Sequence, residues 1–370
     1  MRMLIFPYGH KCEPILRYAG LLDPAYEITA LVSPSDWGLS GKKEVLGNKR
    51  TTLPILESFG EVAEEFDSLF IPPFEVTETM ESRLVNQIVN LVPCLKHIIC
   101  AARLTNVNRK RLEYTCRQAN PPCIFENLSD NKPPKAYGLA KSPKKHLSLH
   151  LLNVPVVIVA GLWKNTDKFE VSLALRERFL KNGYRITQIG SRVGCELFGF
   201  HSFPGFMFRK DVDAGDKVIH FNRWISQITK NEQPDLVLIT LPGAVQDLNE
   251  QFTHGSEILQ HQVFKAVTPD VLVMCTFYTF DSIETLEIIS TLCKHRFDTP
   301  VDVFHMSNLI IDIIESEDHP HVVTNSVYRE TVSETIEKKF AVSHIPIFNA
   351  LDSEGCDRMF DAIIEKAIAP

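Results

Sequence analysis

No apolar run in this sequence approaches the roughly 18 residues that a helix needs to cross a bilayer. The longest, such as Val154 to Gly161, have strand length, so a membrane-spanning role is not expected. A positive charge excess is absent too: 39 Lys and Arg face 46 Asp and Glu, for a net charge of -7 and a pI near 6.0. Gripping nucleic acid or an anionic membrane through long-range charge is therefore excluded as the main task. The nine cysteines include no CxxC pair, and such a set does not describe a disulfide framework. Reduced, mostly buried thiols are expected. The first residues, MRMLIFPYGHKCEP, lack a long apolar stretch and an A-x-A-like site, and read as a first strand instead of a secretory leader. A cytoplasmic location follows as the expectation. There is no repeat of fixed period and no low-complexity tract.

What the chain does have is length and an ordinary globular composition. Its 370 residues exceed the usual single core, and 44% hydrophobic with 23% charged residues rules out a largely disordered or coiled-coil protein. Two α/β units are expected. The first reads strand (Met3 to Pro7), helix (Cys12 to Leu22), strand (Tyr26 to Val32), loop (Ser33 to Arg50), strand (Ser68 to Ile71), helix (Thr77 to Val92), strand (His97 to Cys100) and helix (Asn106 to Gln118). That alternation predicts a parallel sheet with helices on both faces. Between Asn127 and Asn153 the composition shifts to Pro133, Pro134 and Pro143 with Lys132, Lys135, Lys141, Lys144 and Lys145. The division expected is a Rossmann-like domain over 1–130, a solvated linker over 131–153, and a second α/β domain over 154–370.

The second unit opens on VPVVIVAGLWKNTDKFEVSLALRERFLKNGYRITQIG. It reads as a strand (Val154 to Ala160), a loop (Gly161 to Asp167), a helix (Lys168 to Lys181) and a strand (Tyr184 to Ile189). Further strands are expected at Asp235 to Leu241, Val271 to Cys275 and Val301 to Phe304, with a helix at Asp281 to His295. Strand, loop, helix and strand make the phosphate-loop arrangement, so the fold class expected is two doubly wound, Rossmann-like domains, the second like a P-loop NTPase. A phosphate loop needs glycines so that backbone N–H groups can turn toward phosphate, a Lys for charge, and a Ser or Thr hydroxyl for Mg²⁺. Gly161 and Lys168 match the G-x5-G-K-T spacing of the branch that holds dethiobiotin synthetase-like and MinD-like ATPases. Asp167 stands at the second Gly and Phe169 at the Thr. The acid such ATPases carry at the end of a later strand is also missing, because DLVLITLPGAVQ ends in Thr240, Leu241, Pro242 and Gly243. The loop is degenerate for Mg-ATP. An anion could still use Lys168 and the helix N-terminus, with Gly161, Lys164, Asp167 and Glu170 beside it.

SRVGCELFGFHSFPGFMFRK follows, with Phe198, Phe200, Phe203, Phe206 and Phe208 among Gly199, Pro204 and Gly205. No regular element asks for this pattern, so the rings either plug the upper edge of the sheet or line a pocket. Cys195, Glu196 and His201 sit at the carboxyl end of an expected strand, where doubly wound sheets place ligands. A thiol near an imidazole reads as a nucleophile with its base, as two of the ligands of a metal site, or as a structural Cys and His. Cys94, Cys100, Cys116 and Cys123 read as core. The mixed run Glu315, Glu317, Asp318, His319 and His321 reads as a turn, and no metal site is expected.

At VAGLWKNTDKFEVSLALRERF, GYRITQIGSRVGCELFGFHSFPGFMF and VSPSDWGLSGKK the sequence resembles the bacterial peptide maturation system proteins, a family encoded near radical S-adenosylmethionine enzymes and small Cys-rich precursor peptides, notably in clostridia. Its most specific pieces are Asp167-Lys168-Phe169-Glu170 and the stretch from Cys195 to Pro204. The resemblance implies a role in maturing a ribosomally made peptide, with that precursor or a maturation enzyme as partner. It also implies that DKFE is the family's own form of the loop. Three readings stand at this point: a tailoring enzyme or accessory subunit, a non-catalytic peptide- or partner-binding module, and, by fold analogy alone, an ATP-dependent ligase or acyl transferase. No cofactor is identified.

Overall fold

The computed structural model describes residues 1–47, 52–130, 148–247, 257–278, 282–317 and 322–368. The lysine-rich stretch expected as a linker lies largely outside these residues, as do Asp318, His319 and His321. The chain divides into two compact units, Met1–Asn131 with Val193–Gly199, and Lys132–Arg192 with Phe200–Pro370.

The strands of the first unit are β1 (Arg2–Ile5), β2 (Glu27–Val32), β3 (Lys43–Val45), β4 (Thr52–Leu56), β5 (Ser68–Ile71), β6 (His97–Cys100) and β7 (Ile124–Asn127). They form one sheet in the order β3-β4-β2-β1-β5-β6-β7, parallel throughout except where β3 meets β4. Leaving aside the antiparallel edge strand β3, this is the Rossmann strand order. Met3, Leu4 and Ile5 of β1 are fully buried, as a central parallel strand covered on both faces requires. The helix Glu78–Leu91 starts where the Thr77 hydroxyl accepts from Met80 N–H, and it turns Leu84, Val85 and Ile88 onto β5 and β6. The helix Asn106–Gln118, capped by Thr105, adds Leu112 and Cys116 to the same core.

Local chemistry explains where this unit departs from the sequence pattern. The helix expected over Cys12 to Leu22 is only Glu13–Arg17, because Gly20 sits in a 3-10 turn, Ala19–Leu21, instead of continuing it. Within the expected loop from Ser33 to Arg50 lies β3, and β4 was hidden by Pro54 in its centre.

The second unit contributes β8 (Val156–Gly161), β9 (Ile186–Gly190), β10 (His201–Ser202), β11 (Leu236–Thr240), β12 (Val271–Thr276), β13 (Val303–Met306), β14 (Leu309–Asp312), β15 (Val323–Ser326) and β16 (Ile347–Phe348). Seven of these form an all-parallel sheet, β10-β9-β11-β8-β12-β13-β16, and β14 pairs with β15 as an antiparallel ribbon. The two-residue period of β8 shows how the sheet is wound. Val156, Ile158 and Ala160 pack with Phe221, Trp224 and Ile225 of the helix Ala214–Glu232 and with Phe264 and Phe297. Val157 and Val159 face the opposite way, onto Val171, Leu175 and Phe179 of the helix Lys168–Lys181 and Met359, Phe360 and Ile363 near the C-terminus. Both units are therefore Rossmann-like α/β sheets, and the strand-loop-helix of β8 makes the second P-loop-like.

The aromatic segment resolves as packing. Phe198, Phe200, Phe203 and Phe206 are buried and Phe208 is half exposed; Phe203 lies 5.6 Å from the Phe221 ring. All nine cysteines are free thiols. Cys94 is exposed, against the expectation of a core residue, because it lies in the surface turn Val92–Cys94 that ends a helix. No helix among the described residues is long and apolar enough to cross a membrane.

Candidate functional site

In the second sheet β8 has β11 on one side and β12 on the other. The strand that follows it in the chain, β9, lies beyond β11, so the winding reverses at β8. The crevice outside the carboxyl end of such a strand is where doubly wound sheets hold ligands. Gly161, the last residue of β8, begins the loop that fills this position. Its carbonyl accepts from Val245 N–H at 2.9 Å, Leu162 N–H donates to the Cys275 carbonyl at 2.8 Å, and the Thr166 hydroxyl donates to the Trp163 carbonyl at 3.1 Å. The turn is closed on itself. A Cβ at Gly161 would lie 2.6 Å from Thr166 Oγ1, 2.7 Å from the Trp163 carbonyl and 3.1 Å from Lys168 Nζ. Only glycine fits, and the Lys168 ammonium lies inside the curl.

Two residues of the loop, Asn165 (φ 60°) and Asp167 (φ 56°), hold left-handed backbone. Asn and Asp are the non-glycine residues that enter this region at least cost. Asp167 thus holds a left-handed torsion of the kind glycine enters most readily, and it carries a carboxylate that no glycine has. That carboxylate accepts a hydrogen bond from the Ser307 hydroxyl, and Ser307 Oγ accepts from Leu309 N–H at 3.0 Å. The carboxylate is thus held by Ser307, on the loop after β13.

The loop lines a cleft of about 330 Å³ with Lys164, Asp167, Lys168, Glu170 and, from the ends of β9 and β11, Arg192, Pro242 and Gly243. Lys168 is buried and makes no ion pair among the described residues. Burial pulls its ammonium from the ordinary 10.5 down to about 8; Arg192 and Lys164 push the same way, and Cys275 and Asp167 oppose them. The Arg192 guanidinium lies over the Phe169 ring, 4.6 Å from its centroid. Behind the loop His305 is fully buried: Nδ1 accepts from Ala350 N–H at 3.1 Å, Nε2 has no hydrogen-bond partner among the described residues, and burial lowers its pKa to about 4.

These residues fit an anion and do not fit magnesium. The helix Lys168–Lys181 turns its first-turn N–H groups, which have no partner within the helix, toward the loop. Phe169 offers no hydroxyl, and β11 ends in Thr240, whose hydroxyl is buried without a partner among the described residues, where a carboxylate would be needed. No group of three or more His, Cys, Asp or Glu among the described residues is arranged to hold a metal ion.

Of the residues singled out in the sequence, Lys164, Asp167, Lys168 and Glu170 line the cleft and Gly161 anchors it. Cys195, Glu196 and His201 do not line it. Cys195 and Glu196 lie in the 3-10 turn Cys195–Phe198, which groups with the first unit, and Cys195 is fully buried. His201 belongs to the second unit, where Nε2 meets Glu232 Oε1 at 2.6 Å while Glu232 Oε2 accepts from the Thr187 hydroxyl at 2.6 Å. Arg192 and Ser307 escaped the sequence pattern. Both follow the carboxyl end of a strand, and that position is the signal that could have marked them.

No protein-family model matches the sequence, and no curated protein matches it either. Among solved structures, a DUF1611 family protein from Anabaena variabilis is similar along the whole chain: TM-score 0.62, 14% identity, covering 98% of this chain and 99% of that one. A GTPase in apo form from Pyrococcus abyssi aligns at TM-score 0.35 and 11% identity over 58% of this chain and 98% of its own. An ATP citrate lyase from Methanothrix soehngenii, in complex with citrate and coenzyme A, aligns at TM-score 0.30 and 9% identity over 100% and 51%. The first likeness shows a shared fold. The other two are too distant to carry an argument.

Proposed function

We propose that the second unit binds the phosphate groups of a small phosphorylated molecule at the 161–168 loop, without a protein-held magnesium ion. The observation that carries this reading is the buried Lys168 ammonium, set without an ion pair inside the loop at the N-terminus of a helix. Burying a charge without a partner is costly, and an arriving anion offsets the cost. Lys164, Lys168 and Arg192 against Asp167 and Glu170 leave the lining one positive charge in excess, to which the helix dipole adds about half a charge. That suits a phosphomonoester or diphosphate better than a free triphosphate. The missing magnesium ligands weigh against an ATP-dependent ligase.

Calorimetric titration with AMP, ADP, ATP and pyrophosphate, in EDTA and in excess Mg²⁺, tests the reading. Binding should occur in EDTA, gain nothing from Mg²⁺, and be lost in Lys168→Ala. Tight binding that requires Mg²⁺ would instead make this a working ATPase. Absence of binding by every probe would favour a purely peptide- or partner-binding role.

The setting we infer is the maturation of a ribosomally made peptide, as enzyme or accessory subunit. Its support is the sequence resemblance at DKFE and at Cys195 to Pro204. Co-purification of the full chain with a neighbouring precursor peptide or radical S-adenosylmethionine enzyme tests that setting, and failure to associate with either would remove it.

A further inference from the structure

We infer that Arg192 takes the place of magnesium in this loop, its guanidinium seated on the Phe169 ring to neutralise the outermost phosphate of the bound molecule. The inference rests on the phosphate-binding reading above and names the residue that makes it independent of metal. In a working phosphate loop the residue after the Lys holds the metal through its hydroxyl, and the metal neutralises the outer phosphate oxygens. Here that residue is Phe169, and a hydrophobic ring cannot ligate a cation through oxygen. Its face can hold one by its quadrupole, and a guanidinium is the side-chain cation that stacks best on such a face.

The structure supplies that pair: Arg192 Cζ lies 4.6 Å from the Phe169 centroid, and both residues line the same cleft as Lys168. The three parts come from separate elements. Phe169 is in the first turn of the helix Lys168–Lys181, Arg192 follows β9, and Lys168 reaches back into the loop. Arg192 is exposed where Phe169 and Lys168 are buried, so of the two cations lining the cleft the guanidinium is the one nearer solvent and the ammonium the deeper one. A phosphate in the cleft would meet a buried point charge from Lys168 and a planar, bidentate donor from Arg192. The loss of the hydroxyl and the gain of the ring are then one change: the ring that removes the metal ligand also seats the replacement charge.

The test is calorimetric titration of the intact protein with ADP and pyrophosphate, with and without Mg²⁺. The variants are Arg192→Gln, Arg192→Ala, Arg192→Lys and Phe169→Leu. Wild type should bind without Mg²⁺, and no more tightly with it. Arg192→Gln and Arg192→Ala should weaken binding at least tenfold with unchanged melting temperatures, and added Mg²⁺ should not restore it. Arg192→Lys should keep part of the affinity, and Phe169→Leu should lose several-fold because the seat is gone while the charge remains. If wild type binds without metal and both Arg192→Gln and Arg192→Ala bind within twofold of it, this inference is overturned and the phosphate-binding reading stands. If wild type binds neither probe, or binds only with Mg²⁺, both fall together.

Discussion

Anion binding should be coupled to the uptake of a proton by Lys168, and pH is the perturbation that shows it. In the free protein the ammonium loses its proton near pH 8, because burial in the loop disfavours the charged form. An anion seated beside it restores the advantage of the charged form and returns the pKa toward the ordinary 10.5. Between those values the free protein is mostly neutral at Lys168 and the complex mostly charged, so each bound ligand takes up close to one proton. Affinity should be flat below about pH 7.5 and fall roughly tenfold per pH unit above 8, to about 150-fold weaker by pH 10.5. The terminal phosphate of ADP is already fully ionised there, since its second pKa is about 6, so this ligand does not confuse the slope. The assay is titration calorimetry at pH 8.5 in buffers of different ionisation enthalpy, with proton uptake read from the dependence of the observed heat. Lys168→Met should abolish the uptake. A wild-type protein that binds ADP with no proton uptake, or with an affinity independent of pH between 7 and 10, would refute the reasoning.

Gly161→Ala should destabilise the protein by about 1–3 kcal/mol in thermal or denaturant unfolding, because its Cβ would overlap Thr166 Oγ1 and the Trp163 carbonyl; unchanged stability would show that the loop can open without cost. Ser307→Ala should weaken pyrophosphate binding several-fold with little change in fold, since it frees the Asp167 carboxylate to oppose the anion, and Asp167→Asn in the same background should recover the loss. His305 is held neutral by burial, with its pKa lowered from 6.5 to about 4. In that window the unfolded chain binds more protons than the folded one, so acid removes stability: roughly 3 kcal/mol should be lost between pH 6.5 and pH 4. His305→Gln should flatten this part of a urea-denaturation series run against pH, and an unaltered acid profile would count against it.

Much of the architecture was legible because a parallel strand buried on both faces has no polar residue to spare. The runs in β8, β11 and β12 announce themselves as continuous apolar stretches. Where strands are very short or interrupted, the pattern fades: β10 and β16 hold two residues each, and β4 is split by Pro54. The loop itself could be read from Gly161 and Lys168, because its chemistry depends on residues adjacent in the chain. Its other half could not. Ser307 reaches Asp167 across 140 positions and Arg192 meets Phe169 only through the winding of the sheet, and a single sequence carries no sign of which strand ends become neighbours. The cluster of Cys195, Glu196 and His201 shows the converse: closeness in sequence suggested chemistry, while Glu232, 31 residues away from His201, is the group that meets its imidazole.

The β14–β15 ribbon sets how still the cleft can be. A two-stranded ribbon has little stability of its own in water, and this one stands outside the seven-stranded sheet. It is tied at its first residue, where the Leu309 carbonyl accepts from Tyr278 N–H at 2.7 Å and Leu309 N–H donates to Ser307 Oγ. Leu309 is also the ribbon residue that lines the cleft. One wall of the cavity therefore belongs to an element whose local opening should cost less than global unfolding, while the floor strand β8 should exchange its amides only when the whole sheet lets go. Amide exchange should divide the cavity accordingly, into a floor with the protection of the core and a wall that breathes. A ligand that touches both would protect the ribbon far more than the strand beneath it.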